Sequence, residues 1–265
     1  MFKMISQAKN AIEAYNQALE ATSSNIANMN VTGYKRVDVS FQSIFERVLS
    51  QGTAANGGMG GTNPRQTGQG MALSTIAVDF SAGDLVAGAT IDLAISGQGM
   101  FVVSPDGGNS YLYTRAGNFE IDASGNLTSN GMQVYGLNGA GSLVAISSLP
   151  SGNKSDYSWQ ADGTLLYNGT SAGYQIALTY FPNPGGLAQA RGTTFAETAA
   201  SGSPATSQAP GGTVGTVLAG QREQSNVFYL NETIEALELQ RAMNGNLTII
   251  QMASELISNF INKLS

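Results

Sequence analysis

The chain has 265 residues, 12 Lys and Arg against 18 Asp and Glu, a net charge of -6, and neither His nor Cys. Without a basic cluster it lacks the electrostatic footprint of a nucleic-acid binder. Without thiol or imidazole it lacks disulfides, thiolate chemistry and the commonest general base and metal ligand. The length suffices for a sizeable core and one or two domains. No apolar run approaches the ~18 residues of a membrane span, and the start of the chain carries no apolar segment and cleavage site of a secretory signal. By that test alone the expected location is cytoplasmic.

Residues 1–30 predict a helix. Ile5, Ala8, Ile12, Tyr15, Leu19, Thr22 and Ile26 alternate at spacings of three and four, the seam of a coiled coil. The helix is expected to end by Gly33, after the Asn-rich run containing Asn25 and Asn28, whose amides can bond the helix end or a neighbour. Residues 34–72 read as an irregular, Gly-rich connector, with Gly60, Gly61, Asn63, Pro64 and Gln66 at its centre.

From residue 73 to 222 the period changes to two. Short strands are predicted at 91–95, 101–103, 111–113, 118–121, 132–135, 157–160, 164–167 and 175–181, separated by turn sequences rich in Gly, Asn and Asp. This is an antiparallel all-β domain. The lone Trp159 is expected in the core or at a sheet edge, the segment 122–126 as a β-turn, and 203–220 without regular structure.

Residues 223–265 predict a second long helix, with Asn226 as its N-cap. Its seam runs through Val227, Leu230, Ile234 and Leu237, is interrupted by polar Gln240, Arg241 and Asn244, and resumes at Ile250, Ala253, Ile257, Phe260 and Leu264. A narrow apolar stripe on a long helix must be buried against something. The fold class is therefore α+β: terminal helices pairing as a coiled coil around a central β domain, with the two seams as subunit interfaces.

Several stretches resemble the bacterial flagellar rod and hook proteins. Ser24-Asn25-Ile26-Ala27-Asn28-Met29-Asn30-Val31-Thr32-Gly33-Tyr34-Lys35-Arg36 is similar to that family's N-N-I-A-N-x-N-T-x-G-F-K-[RK], with Ser24, Val31 and Tyr34 as departures. Leu93 to Phe101 resembles L-A-I-x-G-x-G-F-F, with Met100 for one Phe, and Tyr113 to Leu127 resembles Y-T-R-x-G-x-F-x-x-D-x-x-G-x-L. Gln224-Ser225-Asn226-Val227 and the run from Gln240 to Asn246 match the C-terminal patterns, with Phe228 and Met243 as departures. Gly60 to Gly70 is similar to the hook proteins' G-G-T-N-P-x-Q-x-G-x-G, which distal-rod proteins carry less often with its Asn-Pro.

The resemblance implies an axial subunit of the flagellum, most like a short hook protein, with the distal-rod protein as sibling. It implies a homo-oligomeric helical tube and neighbouring axial proteins of the rod and hook-filament junction. It also implies export by the flagellar type III apparatus without signal cleavage, no cofactor, no nucleic acid and no membrane insertion. A hook must bend while transmitting torque, and the connector's Gly-rich composition suits small shifts between layers. A secreted polysaccharide-binding β domain is the reading from another class, but it leaves the terminal seams without a task. An enzyme lacks a visible nucleophile with its base.

Overall fold

The structure, a computed structural model, describes residues 2–43, 47–50, 63, 65–68 and 70–264. Two compact units are present, one of residues 1–26, 37–76 and 229–265, the other of residues 27–36 and 77–228.

In the first unit, α1 spans Phe2–Ala27 and α2 spans Tyr229–Leu264, 26 and 36 residues long. These correspond to rods of about 39 and 54 Å. The helices run antiparallel. Asn25, near the end of α1, donates to the carboxylate of Glu232, near the start of α2, while Met4 and Ala8 share a cavity with Asn246 and Ile249.

Both helices are shorter than the sequence suggests at their inner ends. α1 stops at Ala27, within the Asn-rich run and one residue before the start of the expected end at Asn28 to Gly33, and α2 begins at Tyr229. Asn226 is not its N-cap. The Asn226 amide instead donates to the carbonyls of Asp79 and Ser81 and accepts from the Arg36 N–H. A side chain with both donor and acceptor ties two chain segments together, at residue 36 and at residues 79–81, instead of capping the helix.

The span expected to be an irregular connector carries paired strands. Val37–Ser43 pairs with Met71–Val78, and Arg47–Ser50 with Arg65–Thr67. Alternating Val37, Val39 and Phe41 make the first of these legible in retrospect. Gly60, Gly61 and Pro64 lie outside the described residues; Asn63 is exposed, and Gln66 pairs with Val48 in the second hairpin.

The second unit is built on an antiparallel sheet. Its strands run in the order Tyr157–Trp159, Thr164–Tyr167, Thr170–Ile176, Met132–Asn138, Met100–Ser104, Leu112–Thr114, Thr194–Ala196 and Ala188–Gln189. Met100–Ser104 is its centre, buried throughout. Alternation sends Phe101 and Val103 into a core with Ile91, Phe119, Trp159 and Ile176, and Met100 and Val102 into a second cluster with Tyr113, Tyr135, Phe181 and Phe195. A strand covered on both faces reads as a continuous apolar run rather than an alternating one.

Trp159 is buried and donates its indole N–H to the Ile91 carbonyl at 2.7 Å. The Asp122 carboxylate accepts from the backbone N–H groups of Ser124 and Asn126, closing the expected turn at 122–126. The small-residue run 203–220 departs from expectation at its end. Thr216–Ala219 pairs with Leu93–Ser96, and Val217 is buried opposite Ile95.

Candidate assembly surface

α1 hides a different face from the one its large residues mark. Ala8, Ala11, Ala14, Ala18, Thr22 and Asn25 are its buried positions. Spaced by three or four, they form a stripe of small residues that lets neighbouring backbone come close. Of the predicted seam, Ala8 and Thr22 are among these buried positions, whereas Ile5, Ile12, Tyr15, Leu19 and Ile26 are half-buried on its flank. Part of that flank is covered by the chain itself, since Tyr15 packs edge-on to Phe41 at 5.8 Å. The cue in the sequence was alanine at helical spacing, which hydrophobicity ranking passes over in favour of larger side chains.

α2 carries two apolar stripes. The first runs through buried Glu232, Leu239 and Ala253, with half-buried Ile250 and Ile257. The second is in solvent: Leu230 is 57% exposed, Ile234 and Leu237 48%, Leu256 57% and Phe260 66%. The single predicted seam therefore splits between these two faces. Gln240, Arg241 and Asn244 are exposed, Val227 is half-buried ahead of the helix, and the Leu264 side chain lies outside the described residues.

At the inner ends of the helices, polar side chains replace apolar packing. The buried Asn25 amide donates to the Val37 carbonyl at 3.0 Å and to Glu232 Oε2 at 3.0 Å, and its carbonyl accepts from the Val37 N–H at 2.9 Å. The helix-end role expected for Asn25 is thus filled by a cross-link between α1, the strand after it and α2. The backbone carbonyl of Asn28 accepts from Val31 in the turn that follows.

In the second unit, three charged side chains meet out of solvent. Lys35 Nζ lies 2.6 Å from Glu223 Oε1, and Arg115 Nη1 lies 3.3 Å from Glu223 Oε2. Lys35 also donates to the Ser81 carbonyl, Arg115 to the carbonyls of Ile95 and Gly97, and the Gly83 N–H to Glu223. Burial pushes the Lys35 ammonium and the Arg115 guanidinium below their usual pKa values, and the Glu223 carboxylate opposes that shift in both.

Gly33 completes the joint. At φ 69° its N–H donates to the Glu223 carbonyl at 2.8 Å, and a Cβ there would overlap the backbone of Ala116. Its left-handed conformation serves this close approach rather than a helix cap. Lys35 and Arg115 lie in two of the sequence motifs and Glu223 directly precedes a third, but no local feature of the sequence marked the three as partners.

Comparison with known proteins identifies this architecture. The Flagella basal body rod protein model matches residues 6–35, and the Flagellar hook protein FlgE/F/G D1 domain model matches residues 94–167. The flagellar basal-body rod protein FlgG of Bacillus subtilis is 31% identical over 269 residues, covering 99% of both chains. The chain belongs to the flagellar rod and hook protein family. The FlgG of Agrobacterium fabrum is 29% identical over 95% of both chains. The flagellar hook protein FlgE of Helicobacter mustelae is 36% identical over 133 residues, 49% of this chain and 29% of that protein.

As a member of the flagellar rod and hook family the chain is an axial structural protein of the flagellum, not an enzyme. No described helix is long and apolar enough to cross a membrane. Lys35 falls at the end of the rod-family match, and Arg115 lies inside the D1 match. The buried triad thus joins the two family segments.

Proposed function

We propose that this chain polymerises helically into the flagellar hook, with α1 and α2 of successive copies completing a coiled-coil inner tube and the β domain forming a surface layer. The observation that carries self-assembly is the large exposed apolar side chains of α2, Leu230, Ile234 and Leu237 near its start and Leu256 and Phe260 near its end. So large a row of apolar side chains on one helix is an interaction face. The tube would transmit torque, meet the rod at one end and the hook-filament junction at the other, and be exported by the flagellar type III apparatus without signal cleavage.

The choice of hook rests on Gly60 to Gly70, whose Asn63-Pro64 step resembles the hook pattern, and on Asn183 to Leu187. A second reading, the distal rod, is favoured by the lengths of the relatives: rod proteins align end to end, whereas hook matches cover about half of the chain. Gold labelling of the protein on isolated hook-basal bodies separates the two. Label along the curved segment outside the envelope supports the hook; label confined to the straight shaft within it overturns that assignment.

Self-assembly itself is tested by replacing Leu237 and Leu256 together with Asp. Both are exposed, so the variant should melt like the parent as a monomer and form no tubes. Tubes of normal yield would refute the role of the stripe.

A further inference from the structure

α2 carries a thioether among its exposed apolar side chains. Met252 is 52% exposed and lies one turn before Leu256 and one turn after Thr248 and Ile249, all of them exposed. Between Ile234 and Met252 the helix makes about five full turns, so the two side chains stand in line about 27 Å apart. Met252 therefore belongs to the group near the end of α2 and also continues the line of the group near its start.

The chain has no Cys, so no thiol competes for a two-electron oxidant, and the thioethers are its softest nucleophiles. Access then selects among them. Of the described methionines, Met100 and Met132 are buried and Met29, Met71 and Met243 are half-buried, while Met4 and Met252 are exposed. Met4 borders the cavity it shares with Ala8, Asn246 and Ile249, beside its own α2. Met252 instead stands among the side chains that the self-assembly reading gives to another copy.

We propose that Met252 is a peroxide-sensitive modification site, and that its oxidation to the sulfoxide stops α2 from joining a neighbouring copy. The sulfur lone pair attacks one oxygen of hydrogen peroxide and the O–O bond breaks. That oxygen stays on sulfur as S=O, and the other leaves as water with both protons; sulfur loses the two electrons that peroxide gains. The product is a polar side chain in place of an apolar one. On the free subunit the new oxygen is hydrated and costs the fold nothing. At a dry contact between helices it is an acceptor without a donor, which opposes association. The inference rests on the self-assembly reading and adds a means of regulating that surface. It also makes the change reversible, because methionine sulfoxide reductases restore the thioether.

The test uses full-length protein, hydrogen peroxide, peptide mapping by mass spectrometry, and polymerisation followed by sedimentation and electron microscopy. In the monomer, sulfoxide should form at Met252 about tenfold or more faster than at buried Met100 and Met132, and assembled tubes should slow it. The concentration needed for polymerisation should then rise about tenfold or more, with the monomer's melting unchanged and the loss reversed by the two reductases. Met252→Leu should polymerise at the same concentration before and after peroxide, whereas Met4→Leu should respond to peroxide as the parent does.

Protein fully oxidised at Met252 that still assembles at the parental concentration overturns this site and leaves the self-assembly reading standing. A Met252→Leu variant that loses assembly on peroxide treatment also overturns it, because the damage then lies elsewhere. Untreated protein that forms no tubes at any concentration overturns the self-assembly reading itself, and the control exerted by Met252 with it.

Discussion

Removing Glu223 should cost the β unit more than removing either cation bound to it. Its carboxylate accepts from Lys35, Arg115 and the Gly83 N–H, and the two cationic side chains lie away from bulk solvent. Truncation in Glu223→Ala leaves two buried like charges facing each other. Breaking a buried pair by removing one member costs about 3–5 kcal/mol. Loss of the Gly83 bond and cation repulsion place this case towards the upper end.

For a unit of this size about 2–4 °C of melting temperature accompany each kcal/mol, so the drop should be about 6–20 °C. Lys35→Met is the control. It keeps a similar volume, removes a desolvated ammonium and leaves Glu223 held by Arg115 and Gly83, so its loss should be less than half as large. The assay is thermal unfolding followed by circular dichroism, at protein concentrations too low for polymerisation to add stability. A drop below about 4 °C for Glu223→Ala, or a larger drop for Lys35→Met, would refute the view that Glu223 holds the joint together.

Three further outcomes are expected. Asn25→Ala should destabilise the helical unit by about 1–3 kcal/mol, because it strips partners from both backbone groups of Val37 and from the buried Glu232; a lower urea midpoint at unchanged slope reads this directly. Gly117→Ala should prevent folding of the β unit, since a Cβ would overlap the Leu93 carbonyl; a soluble variant with the parental circular dichroism spectrum and melting point would contradict that packing.

Asp106 is expected to register in acid unfolding. Its folded pKa, about 2, lies below the ordinary 3.8, so its stabilisation is present above pH 3.8 and disappears as pH falls towards 2. Asp106→Asn should be less stable than the parent at neutral pH, and the two should converge across that window. A stability difference independent of pH would point to loop geometry rather than charge.

Local periodicity was enough to locate the two terminal helices and most of the strands between residues 91 and 181, because each depends on side chains a few positions apart, but it passed over Leu127–Ser129 and Leu143–Ala145. It also placed apolar stripes on both helices. Which part of each stripe is hidden depends on what stands opposite. Alanines 8, 11, 14 and 18 win the buried face of α1 because close backbone approach favours small residues, and Leu239 and Ala253 rather than Leu237 and Phe260 are covered in α2. The strand pairing of 37–43 with 71–78, across a Gly-rich span, likewise depends on a partner about thirty residues away.

The polar joints were least legible. Lys35, Arg115 and Glu223 lie far apart in the chain, and nothing local distinguishes a charge that meets two partners in the interior from one that faces water. Asn226 resembled a helix cap because the residues next to it permit one; the tertiary structure gave its amide three better partners. Short-range spacing determined the two terminal helices and many of the strands, and motif resemblance pointed to the family. Three-dimensional packing decided which charges are buried, which helix face is closed and which face of α2 stands in solvent, because desolvation and close contact are properties of neighbours that the linear order does not place side by side.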